Sequence, residues 1–174
     1  MRRWVPGTHQ IPAIDDDGVV LSEWAVILIY LAKKAGQLIP ADQAGEAKVM
    51  RWCFAAMNTV ELPLLTLLLP GFVTKKDEPP AYPEFTDSWA KRRFADLDRW
   101  LERRTLIATE AFTAAAIVMA HALDEIKDPS LLERCGRAPS CRERCFVRPA
   151  WKRMLDSFFA RVEAGPRRHR RTRP

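Results

Sequence analysis

Residues 9–24 of the chain read HQIPAIDDDGVVLSEW, with turn-forming residues at the centre of the stretch. Pro12 has no backbone N–H, so it excludes a regular central strand at that point. The run Asp15–Gly18 is a turn signal, and the β-branched residues after it indicate a second extended segment. We therefore predict a β-hairpin formed by His9–Ile14 and Val19–Leu21.

A helix is predicted directly after this hairpin. Ser22 is a good N-cap residue, and Trp24–Lys34 consists of residues that a helix accepts. The two lysines at its end and the following Gly36 are typical of a helix C-terminus. Because a hairpin and one helix are too small to be stable alone, we expect this unit to pack against the rest of the chain.

From Gly45 onward the pattern is that of an all-helical region. Apolar residues recur three and four positions apart, as on the buried stripe of an amphipathic helix. The predicted stripe of the first of these helices is Val49, Trp52, Cys53, Ala56 and Val60. Further helices have the apolar residues Ala90, Phe94, Leu97 and Leu101, then Ile117, Met119, Ala120 and Leu123, and finally Trp151, Leu155, Phe158, Phe159 and Val162. The fold class is therefore α+β, mostly α.

Prolines and apolar runs mark the connections in this region. The nearly apolar stretch Leu62–Phe72 is expected to be core or a dimer interface, and the polar residues 75–83 predict a proline-rich loop. A further segment is predicted to start at Asp128. Pro149 suits the first turn of the last helix, where a missing N–H is not needed, and residues 165–166 end that helix.

The composition narrows the class of protein. A chain of 174 residues with 48% hydrophobic residues is long enough to bury a core. No apolar run approaches the roughly 18 residues that cross a membrane, and no apolar segment of a secretory signal follows Arg2 and Arg3. We therefore expect a cytoplasmic protein with no membrane partner.

The net charge of +6 depends on the last eight residues of the chain. Five arginines lie there, and without them the net charge of +6 falls to +1. An arginine tail binds phosphates nonspecifically, but a basic run alone is more often a solvated, disordered tail. We therefore predict no nucleic-acid partner.

The four cysteines and three histidines lack metal-ligand spacing, so no metal site is predicted.

Several segments, in order, resemble sequences of the glutathione transferase superfamily. His9–Ile14, followed by Asp-Gly and by Leu21–Glu23, resembles the family's (V/I)-P-x-L, D-G and L-(S/T)-(E/Q)-S run. Residues 24–32 with 38–40 resemble A-I-L-x-Y-L-A and L-x-P, the linker into the family's helical domain. Residues 110–117, EAFTAAAI, resemble F-(S/T)-x-A-D-I, and residues 148–151 resemble the entry to the family's last helix. The resemblance covers nearly the whole chain.

The resemblance implies a domain division and a ligand. Residues 1–37 would be a partial thioredoxin-like domain, 38–44 a linker, 45–164 the all-α C-terminal domain and 165–174 a disordered basic tail. The implied substrates are glutathione, as co-substrate, and a hydrophobic small molecule. The resemblance also implies that the protein forms a homodimer. In the family the proline is cis, and the residue before it offers its backbone to the ligand. The implied glutathione-binding residues are Ile11, Pro12, Glu23 and Trp24.

Three departures from the family pattern bear on activity. The family's catalytic Tyr, Ser or Cys lies in a strand-helix-strand segment to which nothing in this sequence corresponds, so no catalytic residue is assigned. Trp24 stands where the family has a small serine that holds the γ-glutamyl group. Ala116 replaces the aspartate of a capping box at the start of a helix, although Thr113 is still expected to cap it.

These departures leave three hypotheses. The first is a glutathione transferase that conjugates glutathione to hydrophobic electrophiles, with weak or no activity. The second is a non-catalytic interaction module that docks a partner through the helical domain and the arginine tail. The third is the product of a truncated or mis-started gene. Trp52 and Met57 are the candidates for an electrophile pocket.

Overall fold

The structure is a computed structural model that describes residues 11–68, 83–124 and 136–163. Its elements are β1 (Ala13–Asp16), β2 (Val19–Ser22), α1 (Trp24–Lys34), α2 (Gln43–Phe54), a π-helical segment (Ala55–Glu61), α3 (Leu62–Leu68), α4 (Pro83–Leu101), α5 (Ala114–Asp124), α6 (Ala138–Phe146) and α7 (Pro149–Glu163). The predicted fold class is confirmed, because a hairpin and a helix are followed by helices. Within the described ranges no strand follows β2.

Some predicted features lie outside the described residues. They are His9 and Gln10 of the first strand, the loop before Pro83, the segment at Asp128, the end of the last helix at residues 165–166 and the arginine tail. None of the helices described is long and apolar enough to cross a membrane.

The hairpin forms because its turn residues accept positive φ angles. Asp17 has a φ of 51° and Gly18 a φ of 90°. Two positive values in a two-residue loop are typical of a type I′ turn, whose twist matches that of the two strands. The Gly18 N–H also donates to Asp15 Oδ1 at 3.0 Å. The resulting antiparallel register pairs Asp16 with Val19 and Ala13 with Ser22.

The hairpin is attached to α1 through one carboxylate. Asp16 accepts a hydrogen bond from the Tyr30 hydroxyl at 2.8 Å and forms an ion pair with Lys34. These two partners, Lys34 first, lower the pKa of Asp16, and the same carboxylate raises the pKa values of Tyr30 and Lys34. The turn end of the hairpin is therefore fixed to the C-terminal half of α1.

The two ends of α1 differ in how well the sequence predicted them. The C-terminus is as expected: Gly36 has a φ of 62°, its N–H donates to Lys33, and the Gln37 N–H donates to Ala32. This pair of bonds is a Schellman motif. The prediction of Ser22 as N-cap is wrong, because Ser22 ends β2 and Glu23 occupies the N-cap position. The strand continues one residue further than the capping pattern indicated.

The centre of the helical region is α5. Eight of its eleven residues are buried, and five of the eight are alanines, which leave room for neighbouring backbones: Ala114, Ala115, Ala116, Ala120 and Ala122. Helices α1, α2 and α6 and the π-helical segment all contact it. The Ala114 N–H donates to the carbonyl of Leu38 at 2.9 Å, so the segment after α1 satisfies one of the free donors at the start of α5.

The predicted stripes are confirmed for two helical regions and part of a third. All residues of the first two sets are buried: Val49, Trp52, Cys53, Ala56, Val60, Ala90, Phe94, Leu97 and Leu101. On α5 the stripe is buried except for Ile117, which is partly exposed. On α7 the apolar face is present, but Phe158, Phe159 and Val162 are exposed.

Helix α2 begins at Gln43, two residues before the predicted start, because Asp42 caps it by accepting from the Gly45 N–H at 2.8 Å.

Thr113 does not cap α5 as the sequence pattern predicted. Its side chain is 2% exposed, and its hydroxyl has no hydrogen-bond partner among the described residues. The Ala116 N–H instead donates to the backbone carbonyl of Thr113 at 3.0 Å. Alanine at residue 116 also removes the second bond of a capping box, which a side chain there would accept from the Thr113 N–H. The buried Thr113 hydroxyl, with no bond among the described residues, costs free energy.

We expect Thr113→Val to raise the free energy of unfolding by about 1 kcal/mol, because valine keeps the shape and removes an unpaired buried hydroxyl. Urea unfolding followed by circular dichroism measures this change. Thr109→Val is the matched control: the Thr109 hydroxyl donates to the Ala111 carbonyl at 3.0 Å and accepts from its N–H at 3.2 Å. The control should lose about 1 kcal/mol. An equal loss in both variants would show that the Thr113 hydroxyl is bonded in solution.

Candidate functional site

The hairpin register brings the four predicted ligand residues to one end of the hairpin. Ala13 pairs with Ser22, so Ile11 and Pro12 precede this pair on one strand while Glu23 and Trp24 follow it on the other. The turn lies at the opposite end. The peptide bond between Ile11 and Pro12 is cis, and the Ile11 side chain is 93% exposed. We call this region, formed by Ile11, Pro12, Glu23 and Trp24, the open end of the hairpin.

Glu23 has an unusual backbone conformation at this end. Its φ of 68° and ψ of 104° lie outside the regions that a residue with a side chain normally adopts. Such a conformation costs on the order of 1–3 kcal/mol and persists only where the surroundings impose it. Here the chain must leave β2 and start α1 within one residue, and the Glu23 carbonyl already accepts from the Ile27 N–H at 2.9 Å.

The residue at the N-cap position of α1 does not cap the helix with its side chain. Glu23 makes no side-chain capping bond, and the first turn holds no acidic residue. The first N–H groups of a helix have no partner within the helix, and together with the helix dipole they favour an anion. A carboxylate of a ligand would therefore find donors at this position.

Trp24 packs into the protein from this same turn. Its ring lies 4.7 Å from that of His121 on α5, centroid to centroid, at an angle of 74°. The indole is partly buried and packs against the core. The contact therefore joins the open end of the hairpin to the central helix of the helical region.

A small apolar cavity adjoins Glu23. Its volume is about 160 Å³, and it lies between α1 and the continuous helix formed by α2 and the π-helical segment. The lining residues are Glu23, Ala25, Val26, Ile29, Met50, Cys53, Phe54 and Met57. Of the two candidates for an electrophile pocket, Met57 lines this cavity. Trp52 lies on another face of α2, between two larger cavities of about 480 and 410 Å³.

Cys53 is the one thiol of the described chain that lines this cavity, and the sequence pattern assigned it to the core. It is 2% exposed, and burial raises its pKa to about 11. A thiol with this pKa is protonated at neutral pH and is a poor nucleophile. Sequence reasoning also missed Met50 and Phe54. Residues 50, 53, 54 and 57 share a helix face, but spacing alone does not indicate that Glu23 faces them.

Comparison with known proteins gives one curated relative. No protein-family model matches the chain. An uncharacterized GST-like protein of Streptococcus mutans is 27% identical over 169 residues, an alignment that covers 88% of this chain and 63% of the relative. The chain therefore spans less than two thirds of the length of that protein.

Solved structures of similar fold include glutathione transferases. One from Burkholderia graminis, with two glutathione molecules bound per subunit, is 29% identical with a TM-score of 0.72, covering 86% of this chain and 68% of that one. Glutathione transferase YghU from Streptococcus pneumoniae, complexed with glutathione, is 24% identical with a TM-score of 0.71, covering 87% and 63%. At 24% identity the second likeness shows the fold alone.

Replacing Glu23 by glycine tests whether its backbone is strained. Glycine adopts positive φ without steric cost, so we expect Glu23→Gly to raise the free energy of unfolding by about 1 kcal/mol. Thermal and urea unfolding measure the change. Glu143→Gly, an exposed position within α6, is the control and should lose about 1 kcal/mol. A comparable loss at residue 23 would mean that its conformation is unstrained in solution.

Proposed function

Since the chain belongs to the glutathione transferase superfamily, we propose that it binds glutathione at the open end of the hairpin. The observation that carries this proposal is the register, which brings Ile11, Pro12, Glu23 and Trp24 to the N-terminus of α1, where the Glu23 side chain makes no capping bond. The structural relative that is 29% identical contains bound glutathione, and this ligand supports the choice of the tripeptide over other anions.

Each proposed contact has a physical reason. Ile11 is exposed and precedes the cis bond to Pro12, so we propose that its backbone groups bond a peptide-like ligand. The γ-glutamyl group carries a carboxylate, which the first N–H groups of α1 stabilise. The strained conformation of Glu23 holds the backbone at the start of α1 in one geometry, so these donors are oriented before the ligand arrives.

The apolar cavity beside Glu23 supports a second ligand. We propose that it takes the hydrophobic part of an electrophile, because its lining is formed by aliphatic, aromatic and sulfur-containing side chains. With about 160 Å³, the cavity accommodates only a small group. Part of a larger electrophile would remain outside, next to Phe54, whose side chain is 59% exposed.

Conjugation needs more than these contacts. The nucleophile is the glutathione thiolate, which an enzyme favours by lowering the pKa of the thiol with a donor or a cation. Among the described residues, the thiol that lines the cavity is Cys53, and its raised pKa makes it unsuitable as an activated group. We therefore assign a binding role to this region and no catalytic residue.

The proposal extends to the assembly and location of the protein. On the resemblance to the family, we propose a homodimer in the cytoplasm. Exposed apolar side chains at Leu62 and Leu65 on α3 are compatible with such an interface. The mass of the protein in solution, measured by sedimentation equilibrium, decides between the monomer and the dimer.

A second candidate function is a non-catalytic interaction module. The observation that favours it is the apolar face of α7, where four large side chains are at least 44% exposed: Met154, Phe158, Phe159 and Val162. An exposed face of this kind is typical of a protein-binding helix. Failure of the folded chain to bind glutathione would favour this function over the first.

Glutathione binding is tested by isothermal titration calorimetry on the wild type and on Trp24→Ser. We expect the wild type to bind, and the variant to bind about tenfold more tightly because serine opens space for the γ-glutamyl group. The variant should also lose about 2 kcal/mol of stability with the partly buried indole. Trp89→Ser on α4 is the control, with no expected change in affinity. If Trp24→Ser changed neither the glutathione affinity nor the stability, Trp24 would neither fill the space of the γ-glutamyl group nor stabilise the fold.

Catalysis is tested separately with a chloro-nitrobenzene substrate. We expect the 174-residue chain to conjugate it to glutathione at no more than the buffer rate, because no described residue is assigned to thiol activation. The absorbance of the conjugate gives the rate at several protein concentrations. Turnover that persists through repurification would overturn this expectation while leaving the binding proposal intact.

A further inference from the structure

Helix α7 packs on the protein through its first two turns. The ring of Trp151 stacks on that of Phe146 at the end of α6, with the centroids 4.3 Å apart and the planes inclined at 16°. Trp151 and Leu155 are partly exposed, and no residue of α7 is buried. After Leu155, every residue up to Glu163 is exposed. The second half of the helix is therefore not packed into the described part of the protein.

The exposed half of α7 carries a continuous apolar surface. Met154, Phe158 and Val162 are four residues apart, so they lie one above the other along the helix. Their side chains are 44%, 55% and 61% exposed, and that of Phe159 is 56% exposed. The rings of Phe158 and Phe159 are neighbours, with centroids 5.5 Å apart. We call this surface, formed by Met154, Phe158, Phe159 and Val162, the apolar stripe of α7.

A helix of this length needs its apolar face to be covered. An isolated helix of 15 residues is marginal in water, and most helices in proteins are stabilised by packing of their apolar face. The described part of the protein does not cover the apolar stripe of α7. Exposed apolar surfaces of this kind mark the places where a protein contacts another molecule or a membrane. The remaining question is the chemistry of that partner.

Cations border the apolar stripe on both sides. Seven residues make nearly two turns of a helix, so residues seven apart lie on almost the same side. Lys152 lies seven residues before Phe159, and Arg161 lies seven residues after Met154. Both cations are exposed, and neither has an ion pair within the described residues. Long side chains of this type extend along an apolar surface and keep their charge at its rim.

The positive charge of the chain is concentrated in and after α7. Residues 148–174 hold nine of the 28 lysines and arginines and two of the 22 acidic residues, Asp156 and Glu163. Their net charge is therefore +7, and that of residues 1–147 is −1. The helical spacing places both acidic residues on the polar side of α7. The apolar stripe is thus bordered by cations and followed in the sequence by the arginine tail.

We propose that α7 and the arginine tail bind the surface of a bilayer that contains anionic lipids. The apolar stripe enters the boundary between headgroups and acyl chains, while Lys152, Arg161 and the tail arginines pair with lipid phosphates. A helix that lies in this surface needs an apolar face but no long apolar run, so the criterion for membrane spans does not apply to it. The proposal deepens the second candidate function by naming its partner, and it does not depend on glutathione binding.

Other partners match only part of this surface. A nucleic acid would pair with the cations but leave the aliphatic side chains of Met154 and Val162 uncovered. A second copy of the chain would bring two segments of like charge together, which is unfavourable. An anionic bilayer supplies both an apolar interior and negative charge. An acidic groove of another protein would supply both as well, but a chain that required such a groove would not bind protein-free vesicles.

Cosedimentation of the full 174-residue chain with vesicles tests the proposal. We expect binding to phosphatidylcholine vesicles with about 30% phosphatidylglycerol, and at least tenfold weaker binding to pure phosphatidylcholine, because each cation near an anionic surface adds to the attraction. Binding should weaken as sodium chloride is raised, since salt screens these charges. No binding of the folded chain to the anionic vesicles would overturn the proposal and leave the apolar stripe to a protein partner.

Substitutions in the apolar stripe test whether it enters the bilayer. Phe158→Ser should weaken binding to the anionic vesicles about fivefold, and the double variant with Phe159→Ser at least tenfold, because less apolar surface leaves water. Phe85→Ser is the matched control: Phe85 lies on α4, outside the stripe, and is 60% exposed. This control should leave the vesicle affinity unchanged. Full affinity in the folded double variant would show that the cations bind alone, which would overturn the proposal.

Substitutions of the cations test the other half of the surface. Arg161→Gln should weaken binding to the anionic vesicles about fivefold, whereas Arg103→Gln, exposed but outside this segment, should not change it. Glutamine at all five arginines of the tail should weaken binding at least tenfold and reduce its dependence on salt. These five are Arg167, Arg168, Arg170, Arg171 and Arg173. Unchanged vesicle affinity in the five-residue variant would overturn the proposal that α7 and the tail act together.

Glutathione titration separates this proposal from the glutathione site. The affinity for glutathione should be the same in the wild type and in the double variant of Phe158 and Phe159, since neither residue lies at the open end of the hairpin. A chain that binds anionic vesicles but no glutathione would support the lipid surface and contradict the glutathione site. A chain that binds glutathione but no vesicles would overturn the lipid surface alone.

Discussion

The structure depends on the burial of α5, a helix whose neighbours approach it closely because many of its side chains are methyl groups. Eight of its eleven residues are buried, and helices on several sides contact it. Close packing around alanine maximises dispersion contacts, but it leaves little tolerance for larger side chains. The position of α5 therefore determines the positions of α1, α2 and α6 around it.

Two contacts transmit this constraint to the candidate glutathione site. The carbonyl of Leu38 accepts from the first N–H of α5, and Leu38 holds a φ of 64° to do so. The ring of Trp24 packs against His121 on the same helix. The first contact fixes the chain after α1, and the second fixes the start of α1. The open end of the hairpin is therefore oriented by the helical region, although its four residues belong to the hairpin and the first turn of α1.

The parts of the fold that periodicity determines could be predicted from the sequence, and the parts that depend on neighbours could not. The stripe from Val49 to Val60 is buried because spacing along a helix is a local property. The exposure of Phe158 on α7 depends on what packs there, and periodicity carries no such information. The prediction that Ser22 caps α1 is wrong for a similar reason, because a residue's capping propensity does not determine where the preceding strand ends. The sequence pattern predicts a turn over Asp15–Gly18 after a strand that ends at Ile14, but β1 continues to Asp16 and the turn consists of Asp17 and Gly18 alone. The register therefore could not be predicted from the turn residues, and the resemblance alone implied that Pro12 and Glu23 belong to one site.

The open end of the hairpin and the aromatic cluster between α2 and α4 differ in how far sequence motifs indicate them. The open end consists of two short segments, around Pro12 and around Glu23, and both segments were quoted in the resemblance. The cluster consists of Trp52, Trp100 and Arg51, which lie on two different helices and which the fold alone brings together. The net charge of +6 gives no indication of this cluster, because most of that excess lies in the arginine tail. Within the described part of the chain, Arg93 is neutralised by Asp96 three residues along the same helix, whereas Arg51 lies against two indole rings. Local pairing, and not total charge, therefore determines where positive charge remains on the described surface.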